Sequence, residues 1–218
     1  MYFESRYQAG EMLAQSIYDQ YRYEDCALVA LNDGGVLVGQ PIAELLHTFL
    51  MMLVTENIEI PGEGLTFGSV SQNGNFTYDG NLSVYERDGY TSEFNGYLQE
   101  KKREAFQKIN RLVGDGGTVD FSMLNDRNII LVTDGIDNKF SIDAVKDFLK
   151  PVRSQRIVIA SPVAGTEAVN KLHQAIDELH ILDIKGNYIV TKHYYDDNQV
   201  PSHEEMIRTI NQNILKWR

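Results

Sequence analysis

Two stretches of this chain bring together residue types that could do chemistry. The first is "ALVALNDGGVLVGQP", in which an apolar run ends in Asn32-Asp33-Gly34-Gly35 and a helical pattern follows. The second is "NIILVTDGIDNKFSIDAV", where the run ends in Asp134-Gly135 and continues through Asp137-Asn138-Lys139-Phe140-Ser141 into another helical pattern. A strand that turns directly into a helix presents free amides, and such joints hold phosphates and sugars. Asp134 and Asp137 suit a hydroxyl-rich or cationic ligand. Lys139 would add a positive charge, and Ser141 is placed to cap the helix. Gly34 and Gly35 read as backbone requirements of the first turn. The Asp137–Phe140 loop, however, has none of the small residues that a phosphate cradle normally uses.

Other chemistry is sparse. The five histidines (His47, His173, His180, His193 and His203) include no pair at the i, i+4 spacing of a helical metal site, and His193 reads as structural. Cys26 is the only cysteine, set in an apolar run, which predicts an inert buried thiol. "IILVTDGIDN" has the look of a von Willebrand factor A metal loop, but the nearest upstream partner, Asp120-Phe121-Ser122-Met123-Leu124, lacks the second serine and lies too close. Asp134-Gly135-Ile136-Asp137 has the wrong spacing for a HAD-type phosphatase. No metal site is expected, except magnesium through Asp134 if a phosphorylated substrate binds.

The formal charge of −11 disfavours nucleic acid, anionic membrane and any anionic substrate that lacks a local basic patch. Lys101-Lys102-Arg103 is the one dense basic run, and it reads as a solvated helix face. The longest nearly apolar run, Leu45 to Val54, is far short of the ~20 residues that span a bilayer. With no signal-peptide core in "MYFESRYQAGEML", a cytoplasmic location is expected.

The elements that must position these residues follow from periodicity. Residues 5 to 22 predict an amphipathic helix on Met12, Leu13, Ile17 and Tyr21. "CALVAL" predicts a buried strand, "NDGGVLVGQP" a glycine turn leading into a helix through Phe49, and "LMMLVT" the next strand. Residues 57 to 90 suggest hairpins, and a long helix capped by Thr91 or Ser92 runs through Leu112. Then "NIILVT", a helix from Ser141 to Leu149, "RIVIASPV", a helix capped by Thr166 over "TEAVNKLHQAIDEL", and "HILDIK" alternate. Ser202-x-x-Glu205 forms a capping box for a last helix ending near Trp217. This alternation implies an α/β fold with a mainly parallel sheet flanked by helices. The expected organisation is one domain, 1-218, with an inserted region over 57-118.

The chain resembles the type I phosphoribosyltransferases, in particular a bacterial branch of predicted phosphoribosyltransferases. "RYQAGEMLAQSI", "ALVALNDGGVLVGQPIAELL", "IEIPGEGLTFGSV", "NIILVTDGIDNKFSIDAV", "RIVIASPVAGTEAVNKL" and "HYYDDNQVPSHEEM" carry the likeness, in order and over nearly the whole chain. It implies a type I phosphoribosyltransferase-like fold with a substrate-selecting hood at the insert. It also implies a site for phosphoribosyl pyrophosphate (PRPP) and Mg2+. In that family an acidic pair holds the ribose hydroxyls, a Thr-Gly-x-Thr turn binds the 5-phosphate, and a basic residue at the Gly-Gly turn grips the pyrophosphate.

Transferred by position, the acidic pair becomes Thr133 and Asp134, and the phosphate turn becomes Asn138, Lys139, Phe140 and Ser141. The basic residue becomes Asp33, and a basic pair after the second strand falls at Glu56 and Asn57. At about 4 Å and an effective dielectric near 20, unit charges interact by roughly 4 kcal/mol, so replacing attraction with repulsion weakens anion binding severely. The motif is degenerate. The expectation is a diverged member, a pseudoenzyme with weak or lost transfer, that acts as a small-molecule-binding or protein-interaction module. Its ligand would be a small phosphorylated or hydroxylated molecule, and its partner a second copy or an active paralogue.

The alternative is an active glycosyltransferase of nucleotide metabolism. There Asp134 would hold ribose, Ser141 with the 138–141 amides the 5-phosphate, and Asp33-Gly34-Gly35 a magnesium-bridged pyrophosphate. A scaffold without ligand is the third reading. The insert aromatics (Phe67, Phe76, Tyr78, Tyr85, Tyr90, Phe94 and Tyr97) would line the hood or simply pack it.

Overall fold

The computed structural model describes residues 1–113, 119–137, 140 and 142–216, with backbone alone from 213. The chain divides into two compact units, Met1–Met52 with Val119–Phe140 and Val152–Arg218, and Leu53–Thr118 with Ser141–Pro151.

The larger unit is an α/β fold built on a five-stranded parallel sheet flanked by helices. Its strands are β1 (Cys26–Ala30), β2 (Leu50–Met52), β6 (Asn128–Val132), β7 (Arg156–Gly165) and β8 (Glu178–Lys185), in the order β2-β1-β6-β7-β8. Every residue of β1 and β6 is buried, which is why both read as unbroken apolar runs rather than as alternation. The chain steps outward from β1 to β2 and then returns to the other side of β1 as β6. That reversal is a topological switch point, and open sheets of this kind bind ligands beside it, outside the carboxyl ends of the strands. Ala30 pairs with Val132, so the loops after β1 and β6 leave the sheet side by side.

Helix α1 (Arg6–Tyr21) starts where Ser5 accepts a hydrogen bond from the Gln8 amide, and its Leu13 and Ile17 are fully buried. It packs on α2 (Asp33–Leu46). Helix α2 begins earlier than the glycines suggest. Asn32 is its N-cap, so Gly34 and Gly35 lie inside the first helical turn rather than in a loop. It also ends earlier than Phe49, because His47 adopts the left-handed conformation (φ 52°) and closes the helix. Phe49 already accepts a hydrogen bond from the Leu28 amide as the chain joins the sheet.

The run "LMMLVT" is not one strand. Leu50–Met52 is β2, whereas Thr55 opens β3 (Thr55–Glu59) of a separate antiparallel sheet with β4 (Thr66–Ser71) and β5 (Phe76–Tyr78). Helix α3 (Val84–Glu93) was missed. Ser83 and Glu86 cap it reciprocally, and Thr91, expected to start the long helix, lies within it; α4 (Asn95–Val113) follows. Helix α5 (Asp143–Leu149) starts two residues after the expected Ser141, which lies outside the described residues, and it packs on β4 and β5. Phe67 is fully buried edge-on to Tyr90 and Phe94, whereas Tyr85 is almost fully exposed.

Helix α6 (Thr166–Leu172) is half its expected length and is capped by Gly165, not Thr166. The Asp177 amide bonds to the Ile157 carbonyl and so draws the chain into β8 two residues before "HILDIK". The Ser202–Glu205 box holds at the start of α7 (His203–Lys216), whose expected end at Trp217 lies outside the described residues. Among the described residues, no helix is long and apolar enough to cross a membrane.

Helix packing gives a first test. A methyl group on Gly10 would meet the Val38 carbonyl at 2.3 Å, whereas one on Gly89 in exposed α3 meets nothing within 4 Å. Gly10→Ala should therefore destabilise the protein by about 1–3 kcal/mol in urea unfolding. Gly89→Ala should stabilise it by ~0.5–1 kcal/mol.

Candidate functional site

The site is built where β1 and β6 end. Asn32 follows β1 and uses both ends of its amide. Its Oδ1 accepts from the Gly35 amide (2.6 Å) and caps α2, while its Nδ2 donates to Thr133 Oγ1 (3.1 Å) and to Asp134 Oδ1 (2.9 Å). One side chain thus ties the two strand ends together.

Asp134 is 6% exposed, too buried for a carboxylate to stay charged without partners. Its Oδ2 accepts from Arg6 Nε at 2.7 Å, and its backbone carbonyl accepts from the Tyr195 hydroxyl at 2.5 Å. Arg6 is itself 3% exposed, and its guanidinium lies 4.5 Å from the centre of the Tyr195 ring. Removing one member of such a pair strands the other as a buried charge, which costs about 3–5 kcal/mol. The carboxylate also lies at the amino end of α2, where the helix dipole favours negative charge.

The glycines are explained by space rather than by turn geometry. A methyl group on Gly34 would fall 2.2 Å from Asp134 Oδ2, and one on Gly35 would fall 2.5 Å from the Val132 carbonyl. Helix α2 comes this close to the end of β6 only because both positions lack a Cβ. Gly135 is confined in the same way, with the Tyr188 hydroxyl 2.5 Å from where a methyl would sit. Beyond it the chain rejoins the sheet, since Ile136 bridges to Ala164. The loop after β6 is therefore a short bulge at residues 133–135 with its polar groups turned inward.

Asp33 is not the isolated negative charge that the sequence suggests. Its Oδ1 lies 2.7 Å from His203 Nδ1, at the start of α7. Asp137 is exposed, and Phe140 is half-buried with its amide bonded to the Asp137 carbonyl (3.2 Å). Asn138, Lys139 and Ser141 lie outside the described residues. Among the described residues, no group of three or more His, Cys, Asp or Glu side chains is placed to hold a metal ion.

The structure thus brings together Asn32, Asp33, Gly34, Gly35, Asp134 and Gly135. It adds Arg6, Tyr195 and His203, which carried no assigned role, and Thr133, which stood only in place of one carboxylate of the family's acidic pair. A signal for Arg6 was present: it precedes Ala9, Leu13 and Ile17 on the buried stripe of α1, where a guanidinium needs an acidic partner. His193 is exposed, with its Nε2 2.9 Å from the Tyr2 hydroxyl and its ring edge-on to Tyr194.

Burial, reinforced by the Asp134 charge, raises the Tyr195 hydroxyl far above the usual tyrosine range. Burial likewise pushes Tyr188 up to about 12, against its Thr191 hydrogen bond. Burial also pushes the Cys26 thiol up to about 12, consistent with an inert residue.

No family model matches the chain. It is similar to the crystal structure of TT1426 from Thermus thermophilus, at 23% identity and TM-score 0.75, over 100% of this chain and 99% of that one. At that identity the likeness shows a shared fold. A purine phosphoribosyltransferase from Pyrococcus horikoshii aligns at 12% identity and TM-score 0.47, covering 89% of each chain. A hypoxanthine phosphoribosyltransferase from Staphylococcus aureus aligns at 8% identity and TM-score 0.49, covering 85% of this chain and 76% of that one. These two superpositions are too loose to add to the argument.

Two outcomes are expected. Arg6→Met should lower unfolding free energy by about 3–5 kcal/mol, and Arg6→Met with Asp134→Leu should recover much of that loss, because no charge is then left buried alone. Equal or greater loss in the double variant would show that the pair is not coupled. Raised tyrosine pKa values stabilise the fold fully below the unfolded value near 10. That contribution should fall away as pH rises from there through about 12, the Tyr188 value, in melting curves followed against pH.

Proposed function

We propose that this chain is a diverged phosphoribosyltransferase-like protein in which PRPP-dependent transfer is weak or lost, and that it serves as a small-molecule-binding or protein-interaction module. The observation that carries this reading is the state of Asp134. The family resemblance assigns this carboxylate to the ribose hydroxyls, yet its Oδ2 is held by Arg6 and its Oδ1 by Asn32 inside a buried cluster. A ribose hydroxyl would have to displace a charge-assisted hydrogen bond, in a setting where an unpaired charge costs several kcal/mol.

The rest of the joint points the same way. Asp33, at the position the resemblance gives to a pyrophosphate-binding cation, carries a carboxylate paired with His203. Asp134 is also a poor fit for magnesium, which prefers carboxylate and phosphate oxygens in a strict octahedron, because both its oxygens already face N–H donors. The formal charge of −11 adds a long-range penalty for a polyanion. What remains is hydrogen-bonding capacity. Among the described residues, Arg6 Nη1 and His203 Nε2 are buried without a hydrogen-bond partner. A small hydroxylated or singly phosphorylated ligand is the class they could serve.

Calorimetric titration with PRPP and magnesium, and separately with ribose 5-phosphate, tests this. The expected result is no heat from PRPP up to millimolar concentration. A micromolar affinity that disappears in Asp134→Asn would overturn the reading and restore an active phosphoribosyltransferase working through an altered site.

A further inference from the structure

Helices α1 and α2 meet at Gly10, where a methyl group would strike the Val38 carbonyl and the Pro41 ring. Beside that contact they leave an open groove of about 350 Å³. Tyr7, Glu11 and Ala14 line it from α1 at helical spacing, and Pro41, Glu44 and Leu45 line it from α2. Ala14 and Pro41 are buried and give it an apolar floor, while Tyr7 and Leu45 are 38% and 37% exposed. Pro41 lies within α2 and has no amide, so the Leu37 carbonyl one turn earlier loses its helical donor.

The groove is negative and has no cation of its own. Glu44 accepts two long hydrogen bonds from neutral groups, the Tyr7 hydroxyl at 3.3 Å and Gln40 Nε2 at 3.4 Å. Neither helix contains a lysine. The arginines of this segment are engaged elsewhere, Arg6 with Asp134 and Arg22 with Asp19. Glu44 also stands in the last turn of α2, where the helix dipole opposes a carboxylate. Burial, then Glu44, then Glu11 raise the Tyr7 hydroxyl above the ordinary tyrosine value, as two carboxylates near one oxygen should.

We propose that this groove binds a small organic amine, with its ammonium held by Glu11 and Glu44 and its apolar body on Ala14, Pro41 and Leu45. An ammonium carries three donors, and the two carboxylates with the Leu37 carbonyl supply acceptors on the helices that form the groove. Tyr7 adds a partly exposed ring, and aromatic faces attract cations. A divalent metal ion fits poorly, because it needs about six oxygen ligands and the floor is apolar. The volume lies at the small end of ligand pockets, which suits a small molecule better than a partner's helix or strand. None of these residues belongs to the Asp134 cluster, so the inference stands whether or not PRPP binds there.

NMR titration of the full chain with phenethylamine, and with its neutral isostere 2-phenylethanol, tests this. The expected result is amide shifts confined to α1 and α2 and a dissociation constant of about 1 mM or tighter, with the alcohol roughly tenfold weaker. Glu11→Gln and Glu44→Gln should each weaken the amine about two- to fivefold, and together about tenfold or more, with the melting temperature maintained. Equal affinity for amine and alcohol would overturn the inference. So would equal affinity of the unmodified chain and the double glutamine variant, or no shifts at millimolar amine. Displacement of the amine by micromolar oligolysine would overturn it too, and would give the groove to basic side chains of a partner protein.

Discussion

A carboxylate folded into the end of a parallel sheet must find a cation, and the placement of Asp134 makes that demand on the rest of the larger unit. Arg6 answers it from the first turn of α1, 128 residues earlier in the chain. The pair fixes where α1 begins relative to the end of β6. It requires Gly34, since a methyl there would strike the carboxylate. It orients the Asn32 amide, which in turn caps α2. Tyr195 closes the cluster, with its ring under the guanidinium and its hydroxyl on the Asp134 carbonyl. Four segments that are remote in sequence thus meet at one buried charge pair.

The same arrangement bears on function. A switch point between β1 and β6 is where such sheets present ligands, and the loops there are the ones the family resemblance would assign to ribose and pyrophosphate. A binding site needs unsatisfied groups facing outward, yet these loops turn their polar groups toward each other. Asp134 faces Arg6 and Asn32, Thr133 faces Asn32 and Gly135, and Asp33 faces His203. Interactions that stabilise the joint compete with any sugar phosphate for the same atoms. On the proposed reading, weak or lost transfer would follow from this internal pairing as much as from missing motif residues.

Much of this was legible in the sequence, where local physics dominates. The central strands announced themselves as apolar runs because they are buried on both faces, and Ser202 and Glu205 marked the start of α7 because a capping box is a local device. The same device at Ser83 and Glu86 was overlooked among aromatics and glycines that suggested hairpins. "LMMLVT" split because hydrophobicity does not say which sheet a residue joins. Gly34 and Gly35 read as requirements of a turn, whereas they lie inside the first turn of α2. Their constraint is a contact with residues 132 and 134, and no spacing within the turn can reveal it. The partnership of Arg6 and Asp134 lay equally out of reach, since it exists only once the helix and the strand are assembled.

The central claim is that Asp134 belongs to Arg6 and not to a sugar. A crystal structure determined after soaking with ribose 5-phosphate and magnesium tests it most directly. The account predicts the Arg6–Asp134 pair intact at 2.7 Å, with no sugar on the carboxylate. A ribose bound by Asp134, with Arg6 swung away, would contradict it.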